Sequence, residues 1–329
     1  MDSVCVVHLV RACNGIKPFE RFLASYRAHP AGYPHDLMFI FKGFRNQDDL
    51  APYFQLLGDV AYRSLHVGEG GYDIVPYFKA AREVNHDNMM FLNSFSEILY
   101  DGWLAKMASP LQEQGVGLVG ATGSWGGQSA LFHSRRKRVL RVWPWYERLA
   151  RTLLTWWQSR NFPLFPNPHI RSNAFMLNRQ LFLSLNRPSV QWKGDVYRFE
   201  SGKQSMTQQI MALGLRPLVA DCHGDTYEIQ AWWDSDTFWQ RDQERLLIAD
   251  NQTRDYQYGS YARRQLLSRF AWGQHSKPVP YFDAPPTGRK YLRRRLLDLL
   301  IKRPGVRPPV ASGQNSHRKD SATTFDQNR

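Results

Sequence analysis

A short apolar run in the first third of the chain ends abruptly in small polar and acidic residues. Residues 88–92 read Asn-Met-Met-Phe-Leu, and residues 93–97 read Asn-Ser-Phe-Ser-Glu. Such a run is typical of a buried strand, and ligands of open α/β sheets bind in the crevice beyond the carboxyl ends of the strands. The sequence therefore predicts that four polar side chains face a ligand: Asn93, Ser94, Ser96 and Glu97.

A second segment with chemical potential lies further along the chain. Phe199-Glu200-Ser201-Gly202-Lys203 opens a helical pattern that extends to Gly214, and a short apolar strand follows at residues 215–220. The carboxylate of Glu200 can accept a proton in general base catalysis. The alternative is that Glu200, near the start of a helix, stabilises the helix macrodipole.

Strand and helix patterns alternate along the chain and would position both segments. Strands are predicted at residues 4–10, 36–41, 63–67, 88–92, 116–120 and 215–220, and helices at 18–28, 47–57, 72–84 and 102–111. This alternation predicts an α/β fold with a mostly parallel, twisted sheet flanked by crossover helices. A further helix is predicted at residues 232–249. Asp250 follows it and either returns a polar group to the site or terminates the helix.

Other polar residues stand where predicted strands end or helices begin. Arg11 and Asn14 follow the first strand, Lys42 follows the second, and Asp73 precedes the third helix. Each has an ordinary alternative: Asn14 with the next glycine forms a common turn, Lys42 is a solvated strand end, and Asp73 is a helix cap. The segment Arg171-Ser172-Asn173 precedes another apolar strand and is a further candidate.

The charge distribution divides the chain into three parts. The net charge is +14; residues 133–160 hold eight Lys or Arg against one acidic residue, and residues 287–329 hold eleven against three. We predict a first half at residues 1–127 and a second at 128–280 that begins with a basic aromatic insertion. Residues 281–329 form a basic amphipathic segment followed by a partly disordered tail, because the polar tail has too few apolar residues to fold.

The cysteines and the hydropathy pattern bear on the cellular compartment. The chain has 3 cysteines, an odd number without CxxC spacing, which favours free thiols in a reducing compartment. No apolar stretch has the length of a membrane span, and no secretory signal pattern stands at the N-terminus. We therefore expect a cytoplasmic protein.

Three segments occur in an order that is informative about family. They are Gly71-Tyr72-Asp73-Ile74, Phe91-Leu92-Asn93-Ser94-Phe95-Ser96, and Phe199-Glu200-Ser201 with residues 208–219. Over residues 4–225 this order resembles the GT-A glycosyltransferases, in particular the family 2-like inverting enzymes of bacterial surface polysaccharide synthesis. The resemblance implies a GT-A-like sheet in which residues 1–127 bind a nucleotide sugar and residues 128–280 bind the acceptor.

The resemblance also implies roles for single residues. Glu200 stands where the family has its catalytic base, which takes the proton of the acceptor hydroxyl, and Asp195 is the nearby substitute. The residues that the resemblance places against the donor are Arg11, Asn14, Lys42, Asp73, Asn93, Ser94 and Ser96.

One departure from the family pattern concerns a metal ion. The family holds Mn²⁺ or Mg²⁺ with an aspartate pair where this chain has Asn93-Ser94-Phe95, and hard divalent cations favour carboxylate oxygens. Two alternatives stay open. Either Mn²⁺ or Mg²⁺ is held weakly with help from Glu97 or Asp101, or cationic side chains and helix N-termini stabilise the leaving-group charge without a metal.

The basic segments suit two kinds of partner. Arginines interleaved with aromatic residues suit an anionic membrane surface and a glycan or lipid-linked acceptor. The same composition suits nucleic acid, for which the sequence shows no binding motif. We expect a glycosyltransferase at the inner face of the membrane; the alternative is a non-catalytic protein of the same fold that binds a glycan, protein or nucleic acid.

Overall fold

A computed structural model describes residues 2–127, 156–157, 159–187 and 189–278. The strands are β1 (Val4–Arg11), β2 (Asp36–Lys42), β3 (Arg63–Val67), β4 (Asn88–Leu92), β5 (Glu97–Ile98), β6 (Val116–Gly120), β7 (Gly123–Ser124), β8 (His169–Ile170), β9 (Ala174–Asn178), β10 (Arg216–Ala220), β11 (Thr226–Tyr227) and β12 (Ile248–Ala249). The helices are α1 (Lys17–Ala28), α2 (Gln47–Leu57), α3 (Ile74–Glu83), α4 (Trp103–Ala108), α5 (Arg179–Ser184), α6 (Lys193–Ser201), α7 (Met206–Ala212), α8 (Asn251–Gln257) and α9 (Tyr261–Trp272).

An eight-stranded sheet organises the described part of the chain, in the order β11-β10-β6-β9-β4-β1-β2-β3. β1 pairs in parallel with both β2 and β4, β2 with β3, and β6 with β10. β9 lies antiparallel between β4 and β6. The predicted α/β fold with a mostly parallel sheet flanked by helices is therefore confirmed.

Alternating residues of the strands supply two apolar layers, one on each face of the sheet. In β1, Cys5, Val7 and Leu9 pack into one buried cluster together with Tyr77 and Phe78 of α3. The intervening residues of β1 pack into the other cluster, which contains Phe19 and Phe22 of α1. Because successive side chains of a strand point to opposite faces, one apolar run supports helices on both sides.

Two helix predictions are wrong. The pattern from Phe199 to Gly214 forms two helices, since α6 ends at Ser201 and α7 begins after Ser205, whose hydroxyl accepts a hydrogen bond from the Gln208 amide at 3.3 Å. Residues 232–249 form a short 3₁₀ turn over residues 229–234, an irregular segment and β12. In that segment Trp239 and Gln243 have φ values of 46° and 53°, in the left-handed region that a right-handed helix excludes.

Several sequence features lie outside the described residues. They are the basic aromatic segment up to residue 155 and the C-terminal segment 281–329. Within the described residues, no helix combines the length and the apolar character that a bilayer crossing requires. The division of the chain into three parts stays a prediction, although strands from both sides of residue 128 share the main sheet.

Candidate active site

The carboxyl ends of β1 and β4 form the centre of the candidate site. From β1 the chain first builds β2 and β3 on one side and then returns to place β4 on the other side. Such a reversal of strand order opens a crevice at the strand ends, where α/β proteins bind their ligands. Asn14, after β1, donates a hydrogen bond from Nδ2 to Oγ of Ser94, after β4, at 2.8 Å. Two predicted donor-binding residues, 80 positions apart, therefore lie in contact at this crevice.

A compact turn follows β4. The Asn93 side-chain oxygen accepts a hydrogen bond from the Phe95 amide at 2.8 Å and another from the Ser96 hydroxyl at 3.3 Å. The same Ser96 hydroxyl proton is shared with the Asn173 carbonyl, whose oxygen lies 3.0 Å away, and Ser96 is fully buried. The structure therefore gives Ser96 a role in holding the turn against β9 rather than a surface that faces a donor.

A cluster of charged groups lies beside this turn, at the ends of β1 and β2. Lys42 is fully buried, and its Nζ donates to the Tyr72 carbonyl at 2.7 Å. Arg11 Nη1 lies 3.7 Å from Asp73 Oδ1, and both side chains remain partly exposed. The interpretation of Lys42 as a solvated strand end is therefore wrong, because its ammonium group lies inside the cluster.

Burial governs the protonation of this cluster. It lowers the pKa of Lys42, assisted by the neighbouring Arg11 charge, and it raises the pKa of Asp73 against the opposing effect of Arg11 and Lys42. Asp73 precedes α3, but its side chain makes no capping hydrogen bond to that helix. The cap interpretation of Asp73 is therefore wrong, and its carboxylate is directed to the basic groups of the cluster.

Glu97 is paired with arginine. Its Oε2 accepts a hydrogen bond from Arg254 Nη1 at 2.9 Å, and Arg21 Nε lies 3.8 Å from the same oxygen. Arg254 also donates from Nη2 to the Phe95 carbonyl at 2.9 Å. Among the described residues there is no group of three or more His, Cys, Asp or Glu side chains that could hold a metal ion.

Glu200 lies near the end of α6, not at its start. This position excludes the macrodipole interpretation, since negative charge is favoured at the N-terminal end of a helix. Its Oε1 accepts a hydrogen bond from the Ser172 hydroxyl at 2.5 Å. Burial raises the pKa of Glu200 to about 7; Asp73 also raises it, while Ser172, Arg171 and Lys193 oppose the rise.

Asp195 has a structural role at the other end of the same helix. Its Oδ2 accepts hydrogen bonds from the amides of Gln191 and Trp192, at 2.9 and 3.2 Å. A carboxylate that satisfies the free amides at a helix start stabilises that helix. Glu200 is therefore the better candidate for proton transfer.

A cavity of about 150 Å³ lies next to Glu200 and is lined by polar and aromatic side chains. Residues that line it include Arg171, Ser172, Tyr197, Glu200, Trp239 and Phe270. Arg171 is held there by Asp250, with Nη2 and Oδ2 2.9 Å apart and both side chains buried. Asp250 also caps α8 by accepting hydrogen bonds from the Gln252 and Thr253 amides. Asp250 therefore returns a charge to the site, whereas the helix that it was expected to terminate is not formed and Asp250 instead begins α8.

Sequence reasoning missed two cationic residues of the site. Arg254 reaches the turn after β4 from α8, and Lys193 influences the pKa of both Glu200 and Asp73. Arg254 and Glu97 are 157 positions apart, and nothing in their local sequence pairs them. One local signal for Arg254 was present in the sequence. Asp250 is a typical helix cap, and a helix that begins after it carries Arg254 one turn in.

Comparisons with known proteins give structural likenesses only. No protein-family model matches the sequence, and no curated protein matches it. A mannosyltransferase from Pyrobaculum calidifontis, solved with GDP-mannose and Mn²⁺, is similar with 15% identity and a TM-score of 0.40, over 66% of this chain and 54% of that one. The present chain thus spans about half the length of that structure.

Two further solved structures are similar to this chain. Mouse xyloside xylosyltransferase 1 has 13% identity and a TM-score of 0.38, over 67% of this chain and 86% of its own. Glucosyl-3-phosphoglycerate synthase from Mycobacterium tuberculosis, in complex with Mn²⁺, UDP and phosphoglyceric acid, has 14% identity and a TM-score of 0.33, over 55% of this chain and 57% of its own.

Proposed function

We propose that the protein is a glycosyltransferase that moves a sugar from a nucleotide-sugar donor to a glycan or lipid-linked acceptor, with inversion at the anomeric carbon. The observation that carries this proposal is the Glu200 carboxylate, which lines a cavity and has a pKa of about 7. The Asp73 charge contributes to that pKa, so Glu200 is electrostatically linked to the cluster at the strand-end crevice. A base tuned close to neutral pH is what proton abstraction from a hydroxyl requires.

The proposed reaction is a direct displacement at the anomeric carbon. Glu200 takes the proton of an acceptor hydroxyl, and the acceptor oxygen forms a bond to the anomeric carbon. The bond from that carbon to the diphosphate oxygen breaks, and the nucleoside diphosphate leaves with the electron pair. In this proposal Asn14 and Ser94, which are hydrogen-bonded to each other at the strand ends, bind the donor, and Arg11 supplies positive charge to the leaving group.

A basic cavity on α6 supports an acceptor that carries phosphate. This cavity of about 430 Å³ is lined by four cationic side chains and no acidic one among the described residues. They are Arg160, Arg187, Arg198 and Lys203. Since α6 lines both this cavity and that of Glu200, an acceptor bound by its phosphate here would present a hydroxyl to the base. A phosphate-linked lipid acceptor is therefore part of the proposal.

Location at the inner face of a membrane belongs to the same proposal. The basic segments at residues 133–160 and 287–329 suit anionic lipid headgroups. All three cysteines are free thiols, which fits a reducing compartment. A role in surface polysaccharide synthesis follows from the family resemblance and is proposed on that ground.

Thermal unfolding with nucleotides tests the proposed function. The full chain would be melted with UDP, GDP, CDP and dTDP and with their sugars, because a ligand at about 100 times its dissociation constant adds about 2.7 kcal/mol of stability. We expect one nucleotide class to raise the melting temperature and Asn14→Ala to reduce that rise. Gln55→Ala, an exposed position on α2, is the matched control.

The same measurement can instead support the non-catalytic alternative. If no nucleotide shifts the melting temperature while polyanions bind strongly and in a salt-dependent manner, the protein is the non-catalytic alternative.

A further inference from the structure

The turn after β4 does not fit a divalent cation, and this inference rests on the proposed function. Mn²⁺ and Mg²⁺ are held by oxygen ligands, with carboxylates preferred. The Asn93 oxygen is already bonded to the Phe95 amide, and the Ser94 hydroxyl accepts from Asn14. Glu97, the carboxylate of this turn, is bonded to Arg254. The polar groups of the turn are therefore engaged within the protein.

A guanidinium group lies against the Glu97 carboxylate of this turn. Arg254 donates from Nη1 to Glu97 and from Nη2 to the Phe95 carbonyl, both at 2.9 Å. It thus contacts the backbone and the carboxylate of the turn at once. The Arg254 side chain is 10% exposed to solvent.

The charges around the turn leave an excess of positive charge. Glu97 faces two guanidinium groups, Arg254 and the more distant Arg21. Arg171 and Asp250 form a balanced pair beside them. At the ends of β1 and β2, Arg11 and Lys42 face the carboxylates of Asp73 and Glu69. A diphosphate that enters this crevice therefore meets fixed cations on both sides of it.

We propose that Arg254 takes the place of the divalent cation, so that this protein binds the diphosphate of its donor without a metal ion. Each terminal nitrogen of Arg254 carries two N–H groups and uses one of them within the protein, so one N–H group on each remains to donate to phosphate oxygens. A guanidinium binds phosphate in a bidentate manner and stays charged at neutral pH. Arg11 binds the diphosphate from the β1 side.

Calorimetric titration with UDP, GDP, CDP and dTDP tests this proposal on the full chain. Each nucleotide would be titrated once in EDTA and once in MnCl₂. We expect the dissociation constant of the nucleotide that binds to differ by less than about threefold between the two buffers, because the cation is part of the protein. The electron paramagnetic resonance signal of free Mn²⁺ should not decrease when protein and nucleotide are added together.

Substitutions separate the charge of Arg254 from its packing. Arg254→Met should weaken binding of the nucleoside diphosphate by about tenfold or more, and leave binding of the corresponding nucleoside unchanged, since it removes charge-assisted hydrogen bonds to phosphate. Arg254→Lys keeps the charge and loses the planar guanidinium, so its affinity for the nucleoside diphosphate should lie between those of the wild type and Arg254→Met. This variant also tests the proposal if Arg254→Met does not fold. Arg263→Met removes an exposed, paired arginine of α9 and is the matched control.

The outcomes separate this proposal from the proposed function. Nucleotide binding that disappears in EDTA and returns with Mn²⁺ overturns the metal-free site alone. Diphosphate affinity that is unchanged in both Arg254 variants also overturns it. Absence of binding to every nucleotide in both buffers overturns the proposed glycosyltransferase function and this inference with it.

Discussion

Replacing Glu200 by glutamine should stabilise the folded protein at alkaline pH. Burial raises the pKa of Glu200 from 4.5 to about 7 in the folded state. Between these two pH values the folded protein holds a proton that the unfolded chain releases. The free energy of unfolding is therefore highest below the unfolded pKa and decreases as the pH rises towards the folded pKa.

The size of the effect follows from the same shift. One unit of pKa corresponds to about 1.4 kcal/mol, so ionised Glu200 costs the folded state roughly 3 kcal/mol above neutral pH. Glutamine has nearly the same shape, keeps an oxygen that accepts from the Ser172 hydroxyl, and does not ionise. The variant therefore removes the cost of the buried charge and preserves the local contact.

Urea denaturation at two pH values measures this cost. Near pH 8 we expect Glu200→Gln to exceed the wild type by up to about 3 kcal/mol, and near pH 5 we expect the two to agree within about 1 kcal/mol. Glu83→Gln, at an exposed position on α3, is the control and should show no pH-dependent difference. Equal stability of wild type and Glu200→Gln near pH 8 would refute the buried, ionised carboxylate and with it the basis for the catalytic assignment.

Two further predictions concern the groups around Glu200. Asp250→Asn leaves the buried Arg171 without its partner and should cost about 3–5 kcal/mol in urea denaturation, whereas Asp255→Asn, in an exposed pair on the same helix, should cost less than about 1 kcal/mol; equal costs would contradict the buried pair. Ser172→Ala removes a hydrogen bond that lowers the pKa of Glu200, so the acidic limb of the pH profile of kcat/KM should move to higher pH; an unmoved limb would show that Ser172 does not influence the base.

The predictions from local pattern were correct where one strand or helix decides its own structure. The apolar run before Asn93 forms β4 as predicted, since its side chains are apolar on both faces and each face of the sheet is covered by a buried cluster. The placement of Asn14 and Ser94 at strand ends also followed from local pattern. Their direct contact depended on the order of β1 and β4 in the sheet, which local pattern leaves open.

The predictions failed where distant residues set the conformation. The segment 232–249 contains enough apolar residues for a helix. However, the Gln243 side chain accepts a hydrogen bond from the Trp239 amide and donates one to the Thr253 carbonyl. These bonds stabilise a backbone with positive φ at both Trp239 and Gln243. Such competition between helix and tertiary hydrogen bonds is not visible in composition or periodicity.

The sequence by itself determined the α/β class and the strand ends that carry polar groups, and the family resemblance added Glu200 as the candidate base. Only the tertiary structure decided the state of these groups. Burial sets the pKa of Glu200, the Arg171–Asp250 pair joins residues 79 positions apart, and Arg254 reaches Glu97 across the sheet end. The physical reason is that hydrogen bonds and ion pairs act over a few ångströms, so their partners are chosen by the packing of the whole chain and not by neighbours in sequence.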